Sequence, residues 1–466
     1  MADSDNTQHT TGERTPLPTS IIPVETAVPV FIGYTERRGK NGAPLPVQKI
    51  RAVEISHPQK ISSMADYEEY FGKAPVANIN VTIKESRDYL LDHIVNRTIE
   101  ITDTISSLHK LYYHLQMYFA NGGGSCFIIS VGDFSKPQVE ADHLLAGIDM
   151  ATQCEDVTLL VCPQVEDLDA AYAAKVYQTM LYQAGEWGNR FAILDCFDNG
   201  DAFRVRDNVG SEYLNYGAVY HPYLKTTFPV LSPDSSIRIS YTLNGKLKTE
   251  IDQIEKLSAD LKKTVESEIK QFTVVLPPSS AIAGAYVHND ATKKVWTAPA
   301  DIVLYEVISP TIGMDEKGQA LNIADTFSGK SINVIRQIPN KGPVVIGART
   351  LAGNDNIWRY ISMRRTVTMI EFSLRRCMKA FSREPNNVKT WVRIQLLVEK
   401  FLMSFWYKGV LQGATPEHAY LVKIGVGESM DEHDINEGRM ILEVGIAMIL
   451  PSDFMILKIV QRMQKD

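Results

Sequence analysis

The sequence predicts an α/β fold with extended, β-type segments at both ends of the chain. Apolar runs of strand length alternate with stretches of helical spacing between residues 108 and 196, as in a layered sheet with several parallel pairings. Two long segments with helical spacing follow one another in the last third of the chain. Apolar extended segments lie near the N-terminus and at the C-terminal end.

The composition is that of a large globular protein, and it argues against two kinds of partner. Of 466 residues, 44% are hydrophobic and 22% are charged, which allows large buried cores. The formal net charge of -7 argues against a dedicated nucleic-acid binder. No apolar stretch approaches the roughly 20 residues of a membrane-spanning helix, and the polar N-terminus lacks the apolar segment of a secretory signal.

The first part of the chain is predicted to begin with a flexible polar arm over residues 1–20. One or two helices are expected between Asp88 and Phe119, and the stretch 232–270 is expected to be a surface insertion with a charged helix from about Lys246 to Lys270. The remaining elements predicted here are extended segments 21–24 and 27–33, strand 126–131, helix 138–153, strand 157–162, helix 167–186, strand 190–196, strand 272–276 and helix 280–290.

The last third is predicted to contain two strands, two consecutive helices and a closing β region. The helices, about 362–382 and 386–408, each carry an apolar stripe at helical spacing. The stripes are Ile370, Leu374, Cys377 and Phe381 in the first helix, and Trp391, Ile394, Val398, Phe401 and Phe405 in the second. The strands are expected at 332–335, 344–346, 419–424, 439–449 and 454–460.

The two terminal segments are predicted to link neighbouring copies of the chain. A lone extended segment must find an edge partner for its amides and carbonyls, and adding to a neighbour's sheet generates an open polymer. The alternative is that both segments pair within their own chain. The candidate linking residues are Ile21, Ile22, Val28, Val30, Phe31, Ile32, Phe454, Ile456, Leu457, Ile459 and Val460.

A strongly basic stretch lies within this acidic chain. The stretch from Arg359 to Lys408 contains eleven basic residues and three acidic ones. We interpret the stretch as a surface that docks an acidic protein, with a solvated helix face and a nucleic-acid site as alternatives. The candidate residues are Arg364, Arg365, Arg375, Arg376, Lys379, Arg383, Lys389 and Arg393.

The sequence predicts no catalytic centre, cofactor or metal site. Ala324–Ser331 fits a relaxed phosphate-loop pattern, but the loop needs a following helix, and residues 332–336 predict a strand. The glycine pair at 425 and 427 and the run 122–124 are better explained as turns. The histidines show no metal-binding spacing, and no nucleophile-elbow motif occurs.

An ordered set of short motifs spans about 190 residues, mostly in the last third of the chain. The motifs are 277–279, 283–284, 289–290, 296–299, 332–336, 341–351, 358–360, 364–365, 370–371, 373–376, 384–386, Trp391, 401–402, 413–417, 434–439, 443–446 and 451–454. This set resembles the tail sheath proteins of contractile phages and related extracellular injection particles, whereas residues 36–270 match them loosely. The start departs from the family, because some 20 polar residues precede the first strand.

The resemblance implies a structural protein, not an enzyme. It implies an α+β inner domain built from both chain ends, with an α/β outer domain inserted between them. The implied bounds are an N-terminal linking strand 21–35 that joins the inner domain, the outer domain 36–328, the inner, tube-facing domain 329–453 and a C-terminal linking strand and tail 454–466. Subunits would form six-fold rings stacked helically around a hexameric inner tube, with the basic helices turned towards it. Baseplate and terminal cap proteins would be further partners, without nucleic acid or membrane contact.

The implied activity is contraction from a metastable extended state, driven by energy stored at assembly and therefore without a nucleotide. The particle would be assembled in a bacterial cytoplasm and would act as a released particle or virion tail. Two alternatives are a non-polymerising cap or adaptor paralogue and a phosphate-loop nucleotidase.

Overall fold

A computed structural model describes residues 17–40, 43–87, 94–103, 109–136, 138–196, 206, 208–230, 236–251, 257–316, 328–448 and 454–463. The chain folds into two compact units, which we call the large unit (Glu25–Thr368) and the small unit (Met1–Val24 with Met369–Asp466). The small unit therefore contains both chain ends. The predicted outer and inner domains, 36–328 and 329–453, are not tested by this division and stay a prediction.

The large unit contains most of the strands. They are β1 Pro29–Gly33, β2 Val47–Ile50, β3 Val53–Ser56, β4 Gln59–Ile61, β5 Ile79–Arg87, β6 Ile94–Asp103, β7 Cys126–Ser130, β8 Leu159–Val161, β9 Phe191–Asp195, β10 Gly217–His221, β11 Leu224–Pro229, β12 Ile237–Leu243, β13 Lys246–Ile251, β14 Thr273–Leu276, β15 Ile302–Val303, β16 Val307–Pro310, β17 Ile332–Ile338 and β18 Gly342–Ile346. Its helices are α1 Met64–Phe71, α2 Leu111–Ala120, α3 Ala141–Ala151, α4 Ala170–Trp187, α5 Ala259–Gln271 and α6 Ser279–Thr292.

The remaining elements complete the small unit. Helix α7 begins in the large unit and ends in the small one, so one of the two chain crossings lies within it. These elements are α7 Ile361–Ala380, α8 Val388–Tyr407, α9 Pro416–Ala419, β19 Tyr420–Lys423, α10 Glu432–Asn436, β20 Arg439–Ala447 and β21 Phe454–Arg462. The predicted α/β class is confirmed, as is a closing β region after the two helices.

The centre of the large unit is a nine-stranded sheet of order β15-β18-β17-β10-β9-β8-β1-β7-β4. Its middle strands, from β7 to β17, run parallel. Strand β1 lies between β7 and β8, with Val30 opposite both Phe127 and Leu160. All five of its residues are buried, as expected of a parallel strand covered on both faces.

This placement corrects part of the prediction about the N-terminal linking strand. Val30, Phe31 and Ile32 are fully buried and Val28 is 6% exposed, so they belong to the core of their own chain. Because β1 is paired along both edges, it has no free backbone groups to offer a neighbour. The prediction that these four residues link copies is wrong.

A second, four-stranded sheet has the order β13-β12-β5-β6. Two of its strands, β6 and β13, lie where helices were predicted, so those two predictions are corrected. Residues 94–103 form β6 rather than helix, because Ile99 and Ile101 alternate with polar neighbours at the strand period of two. The charged helix expected from Lys246 begins only at Ala259, after β13. Helix α5 buries Leu261 and Val265 against apolar residues of β5 and β12, so the predicted insertion has its own small core.

The helices and strands between residues 108 and 196 follow the sequence pattern closely. Each predicted element between 108 and 196 is found as α2, β7, α3, β8, α4 or β9. Two core layers cover the central sheet, one containing Leu144 and Leu181 and the other Tyr118 and Tyr286. The alternation of strand and helix therefore predicted this layer correctly.

The small unit is built on the antiparallel sheet β19-β20-β21. One face of this sheet, the inner face, is buried, and α8 contacts β19. The inner-face residues are Tyr420, Val422, Leu442, Val444, Ile446, Leu457 and Ile459. Helix α8 in turn buries four of the five predicted stripe residues, Ile394, Val398, Phe401 and Phe405, whereas Trp391 is half-buried. The core of this unit was therefore predicted largely correctly.

Candidate assembly surfaces

The N-terminal segment 17–24 belongs to no strand and lies on α7. The amide of Val24 donates to Ser373 Oγ at 3.0 Å. A cleft of about 230 Å³ lies beside this contact and is lined by Pro18, Ser20, Ile21, Ile22, Ser373, Arg376, Cys377 and Ala380. Ile21 is half-buried there, and Ile22 is 73% exposed. Of the predicted N-terminal linking residues, Ile21 and Ile22 are therefore the two that are not buried in their own chain.

The C-terminal linking strand is an edge strand of its own chain. Strand β21 pairs with β20 over its whole length, from Arg462 opposite Arg439 to Phe454 opposite Ala447. No described strand pairs with its other edge. Part of the prediction is thus corrected: Leu457 and Ile459 are buried core residues of the small unit. The outer edge of β21 is what the strand can offer to another chain.

Six of the eight predicted basic residues are exposed on α7, on α8 and between them. They are Arg375, Arg376, Lys379, Arg383, Lys389 and Arg393. Arg375 forms an ion pair of 2.6 Å with Glu371, one helical turn away. Beside them on α8, Val388, Val392 and Leu396 are 49–64% exposed. The surface is therefore basic and apolar together, which suits docking better than a purely solvated face.

Arg365 is buried and is not a surface residue, contrary to the prediction. Its guanidinium donates to both carboxylate oxygens of Asp290, at 2.6 and 3.1 Å, and to the Thr26 carbonyl at 2.9 Å. The two charged side chains are 4% and 7% exposed. The ring of Tyr286 lies 4.6 Å from the guanidinium carbon. A bidentate, buried pair of this kind holds chain segments together and cannot face a partner.

Arg364 is also buried and is likewise removed from the predicted surface. Its guanidinium carbon lies 4.0 Å from the ring of Trp358 and 4.6 Å from that of Tyr216. Its Nε donates to Thr368 Oγ1 at 3.2 Å. The planar cation is thus stacked between aromatic rings of the large unit. Sequence alone could not separate this pair from the exposed Arg375 and Arg376 on the same helix.

A cluster of buried acids at the carboxyl ends of β8 and β9 was missed by the sequence analysis. Asp195 accepts a hydrogen bond from the Ser279 amide, at the start of α6, at 2.7 Å. Burial raises the pKa of Asp195 to about 8. Burial, with the neighbouring Glu166, also raises the pKa of Asp167 to about 8. Lys110 lies 3.3 Å from Glu166. These contacts tie α6 and α2 to the sheet edge.

The place where parallel α/β sheets commonly bind ligands is filled by the chain itself. The strand order reverses at β1 and β8, and ligands of such sheets bind outside the carboxyl ends of the strands at that point. Here Gln164 occupies the crevice and accepts a hydrogen bond from the Tyr34 amide at 2.6 Å. A Cβ placed on Gly33 would lie 2.3 Å from the Gln164 oxygen, so the packing leaves no space beside that strand end.

The phosphate-loop pattern does not form a phosphate-binding loop in the described residues. Ala324 to Phe327 lie outside them. Lys330 Nζ donates to the Arg206 carbonyl, and β17 begins two residues later, where a phosphate site needs a helix N-terminus. The strand predicted after the motif is confirmed.

The described residues contain neither a metal-binding cluster nor a membrane-spanning helix. No group of three or more His, Cys, Asp or Glu side chains there is arranged to hold a metal ion. None of the described helices combines the length and the apolar character needed to cross a bilayer.

Solved structures of contractile assemblies are similar to this chain over nearly its whole length. A chain from the helical sheath of the anti-feeding prophage, in its contracted state, is 26% identical with a TM-score of 0.63, and the match covers 98% of this chain and 99% of that one. A chain from the baseplate of the same particle is 27% identical with a TM-score of 0.61, covering 99% and 100%.

A third match shows the same fold in another extracellular contractile injection system. A chain of the PVC sheath complex in the contracted state is 24% identical with a TM-score of 0.62, and 98% of each chain is covered. No protein-family model matches the sequence, and no curated protein matches it either. The resemblance predicted from the sequence is nevertheless confirmed: over nearly its whole length the chain has the fold of these contractile sheath chains.

Proposed function

We propose that this chain is the structural subunit of a contractile sheath, which polymerises around an inner tube and shortens to drive that tube through a target envelope. The observation that carries the proposal is the end-to-end match to a chain of a contracted helical sheath, at 26% identity. Such a match leaves no large part of either chain unaccounted for. The role is structural, and its energy comes from the packing of subunits.

Linkage between copies is proposed to use one exposed segment and one free strand edge. The segment 17–24 belongs to no sheet, and the outer edge of β21 has no partner among the described strands. A segment from one copy that adds to β21 of another would satisfy the backbone groups of both. Ile21 and Ile22 would then supply alternate side chains to the two faces of the extended sheet.

The exposed basic and apolar surface of α7 and α8 is proposed to face the inner tube. Its six exposed basic residues can attract an acidic partner over distances near the Debye length of about 8 Å. Such attraction depends on salt and is released by modest displacement. That property suits a sheath that must hold its tube before contraction and slide past it afterwards.

Contraction is proposed to be a rigid-body rearrangement of subunits between two packings. Each unit has its own sheet and its own buried core. Movement at strand links and surface contacts therefore leaves both cores intact. The extended packing would be held by a kinetic barrier, and the contracted packing would be lower in free energy.

The proposed setting is a released particle with six-fold symmetry, assembled in a bacterial cytoplasm. The match to a chain of a baseplate reconstructed with six-fold symmetry supports a ring of six and a baseplate partner. The same match favours one alternative, a subunit confined to the baseplate end. Antibody labelling of native particles separates the two, since a sheath subunit is labelled along the whole shaft and a baseplate subunit at one end.

The primary test is assembly of the purified protein, examined by negative-stain microscopy. We expect tubes or stacked rings, alone or with the inner tube protein. A chain that stays monomeric under all salt and concentration conditions, with and without the tube protein, would contradict the sheath function. Nucleotide hydrolysis that is lost in Lys330→Ala would instead support the phosphate-loop alternative.

The linkage has its own test in a pair of N-terminal truncations. Removal of residues 1–22 takes away Ile21 and Ile22 but leaves β1 in place, so the chain should fold and fail to form tubes. Removal of residues 1–16 is the matched control and should assemble normally. Normal tubes from the longer truncation would refute the linkage.

A further inference from the structure

The outer face of the three-stranded sheet carries exposed apolar residues on β19 and β21 and has a basic rim, whereas Ile441 and Ala447 on the same face of β20 are buried. Residues on this face alternate with the buried inner-face residues along each strand. Leu421, Phe454, Ile456 and Val460 are 40–56% exposed on it. We call these four residues the outer-face cluster. Exposed apolar side chains grouped in this way mark a contact surface more often than scattered ones do.

The cluster is continuous across the sheet because of one glycine. Leu421 lies opposite Gly445 in β20, and Gly445 lies opposite Ile456 in β21. A Cβ on Gly445 would lie 3.2 Å from side-chain atoms of both Ile456 and Phe454, and 3.4 Å from Leu421 Cβ. The missing side chain lets the neighbouring apolar groups close over the strand and form one surface.

The rim of this surface carries an excess of positive charge. Lys423, Lys458 and Arg462 are exposed on the same face, with Glu443 as the acidic neighbour. The Lys458 ammonium lies 3.4 Å from Glu443, and the lysine is 56% exposed. An occupant of this face should therefore present apolar contact together with negative charge.

The chain itself presents a segment of that description in the turn between β19 and β20. We call residues 425–437 the acidic turn. Val426 is 48% exposed at its start, and Glu428, Asp431 and Glu432 are exposed along it. Among the described residues these three carboxylates form no ion pair, whereas Asp434 and Glu437 pair with Arg439 at 2.7 and 2.5 Å.

The acidic turn is preorganised, which lowers the entropy cost of docking. Asp431 and Asp434 cap each other's backbone amides, at 2.8 and 3.1 Å. The Ser429 hydroxyl donates to the Ile441 carbonyl at 2.7 Å, and the Met430 amide donates to the Gly425 carbonyl at 3.0 Å. The turn is thus held in one shape before any partner is met.

From these observations we propose that the outer face of one copy receives the acidic turn of a second copy. The competing apolar surface of the chain, Val388, Val392 and Leu396 on α8, is flanked by Lys389, Arg393 and Lys400 and would bring like charges together. A contact between two different surfaces of the same chain is heterologous, so it repeats from copy to copy and makes a ring or a helix. The inference rests on the proposed sheath function and adds a second contact to the strand linkage.

The test is a charge-reversal complementation. The face variant carries Lys423→Glu and Lys458→Glu, and the turn variant carries Glu428→Lys and Glu432→Lys. All four side chains are exposed, so both proteins should fold, as checked by circular dichroism and thermal unfolding. Each alone should need about tenfold more protein to form tubes, because every contact then joins like charges. An equimolar mixture should assemble at close to the wild-type concentration, since alternating copies restore opposite charges at every contact.

Two outcomes would overturn the inference. Wild-type assembly by both variants would show that these charges meet no partner in the lattice. A mixture that assembles no better than the single variants would show that the two surfaces do not meet each other. Wild-type protein that fails to assemble would instead overturn the proposed function.

Two further proteins control for indirect effects. The first control carries Lys84→Glu and Lys263→Glu, at two exposed lysines of the large unit. It changes the net charge by the same amount as the face variant and should leave assembly unchanged. Leu421→Ser with Ile456→Ser removes the apolar contact without changing charge and should also prevent tube growth. Wild-type assembly by this serine variant would contradict the apolar part of the contact.

Discussion

The nine-stranded sheet and the three-stranded sheet hold the two terminal apolar segments in opposite ways. In the nine-stranded sheet, β1 is paired on both edges and covered on both faces, and all five of its residues are buried. In the three-stranded sheet, β21 is paired on one edge, and buried residues alternate with exposed ones along it. Both segments were predicted to link copies, and of the two strands β1 and β21, β21 alone has an edge and a face left for such a role.

The difference in burial between the two strands corresponds to a difference in their apolar patterns. Residues 28–33 are apolar without interruption, as expected of a parallel strand between two layers of helices. Residues 454–460 include Lys458 among apolar residues, and the lysine marks the face left exposed. An uninterrupted apolar run is therefore expected of a strand that is covered on both faces, and an interrupted run of a strand with one exposed face.

The largest expected effect is in the buried ion pair of the large unit. Asp290→Ala leaves the 4% exposed Arg365 without its counter-charge, which should cost about 3 to 5 kcal/mol of unfolding free energy. Urea unfolding measures the loss. Glu371→Ala is the matched control, because its partner Arg375 is exposed and the pair should contribute only about 0.3 to 0.5 kcal/mol. Equal losses of unfolding free energy in the two variants would contradict the inference that the first ion pair is buried and the second is exposed.

A comparable loss is expected in the central strand. Phe31→Ala removes a fully buried ring that packs edge-on against Tyr118, with 5.0 Å between the two ring centroids. The transfer and cavity costs together should be about 3 to 5 kcal/mol. Hydrogen exchange should quicken at the amides of β1, β7 and β8. A loss below about 1 kcal/mol would mean that β1 is not held in the core of its own chain.

The pH dependence of stability should also differ between the two sheets. Because burial raises the pKa of Asp195 from 3.8 to about 8, the folded state binds an extra proton between pH 4 and 8. The free energy of unfolding should therefore fall as pH rises through that window. Asp195→Asn should remove this slope. Its free energy of unfolding relative to the wild type, measured in urea, should therefore rise from pH 5 to pH 8.

The small unit supplies the control for that pH prediction. Hydrogen bonding to the Asp431 amide and to Arg439 lowers the pKa of Asp434. Its contribution is complete above its unfolded pKa and is lost only as pH falls below that value. Asp434→Asn should therefore leave the slope between pH 5 and 8 unchanged. A slope unaltered in Asp195→Asn would show that another buried acid dominates.

The smallest expected effect on folding is in the C-terminal strand. Phe454 is 41% exposed, so Phe454→Ala should change the unfolding free energy by less than about 1 kcal/mol. Tube formation, measured by light scattering, should nevertheless be impaired because this side chain belongs to the outer-face cluster. Phe31→Ala in β1 should thus destabilise the fold, whereas Phe454→Ala in β21 should impair assembly. Unimpaired assembly would remove Phe454 from the proposed contact.

Several elements of the site followed from the sequence, and others required the fold. The burial of the α8 stripe and the exposure of the basic residues after Glu371 were predicted correctly, because helical spacing places apolar and charged residues on different faces of a helix. The role of these basic residues stays a prediction. Arg364 and Arg365 were misassigned, since their burial depends on Trp358, Tyr216 and Asp290, which no spacing rule connects to them. The acid cluster around Asp195 was missed for the same reason.

The sequence by itself determined the alternation of helices and strands, the two long helices and the relationship to contractile sheath proteins. These depend on local periodicity and on motif order, which a linear chain carries without reference to contacts. Only the tertiary structure decided which apolar strand is central and which is at an edge, and which arginines are buried. Those properties arise from residues distant in sequence that become neighbours when the sheets form, because burial and pairing are set by what lies on each side of a strand.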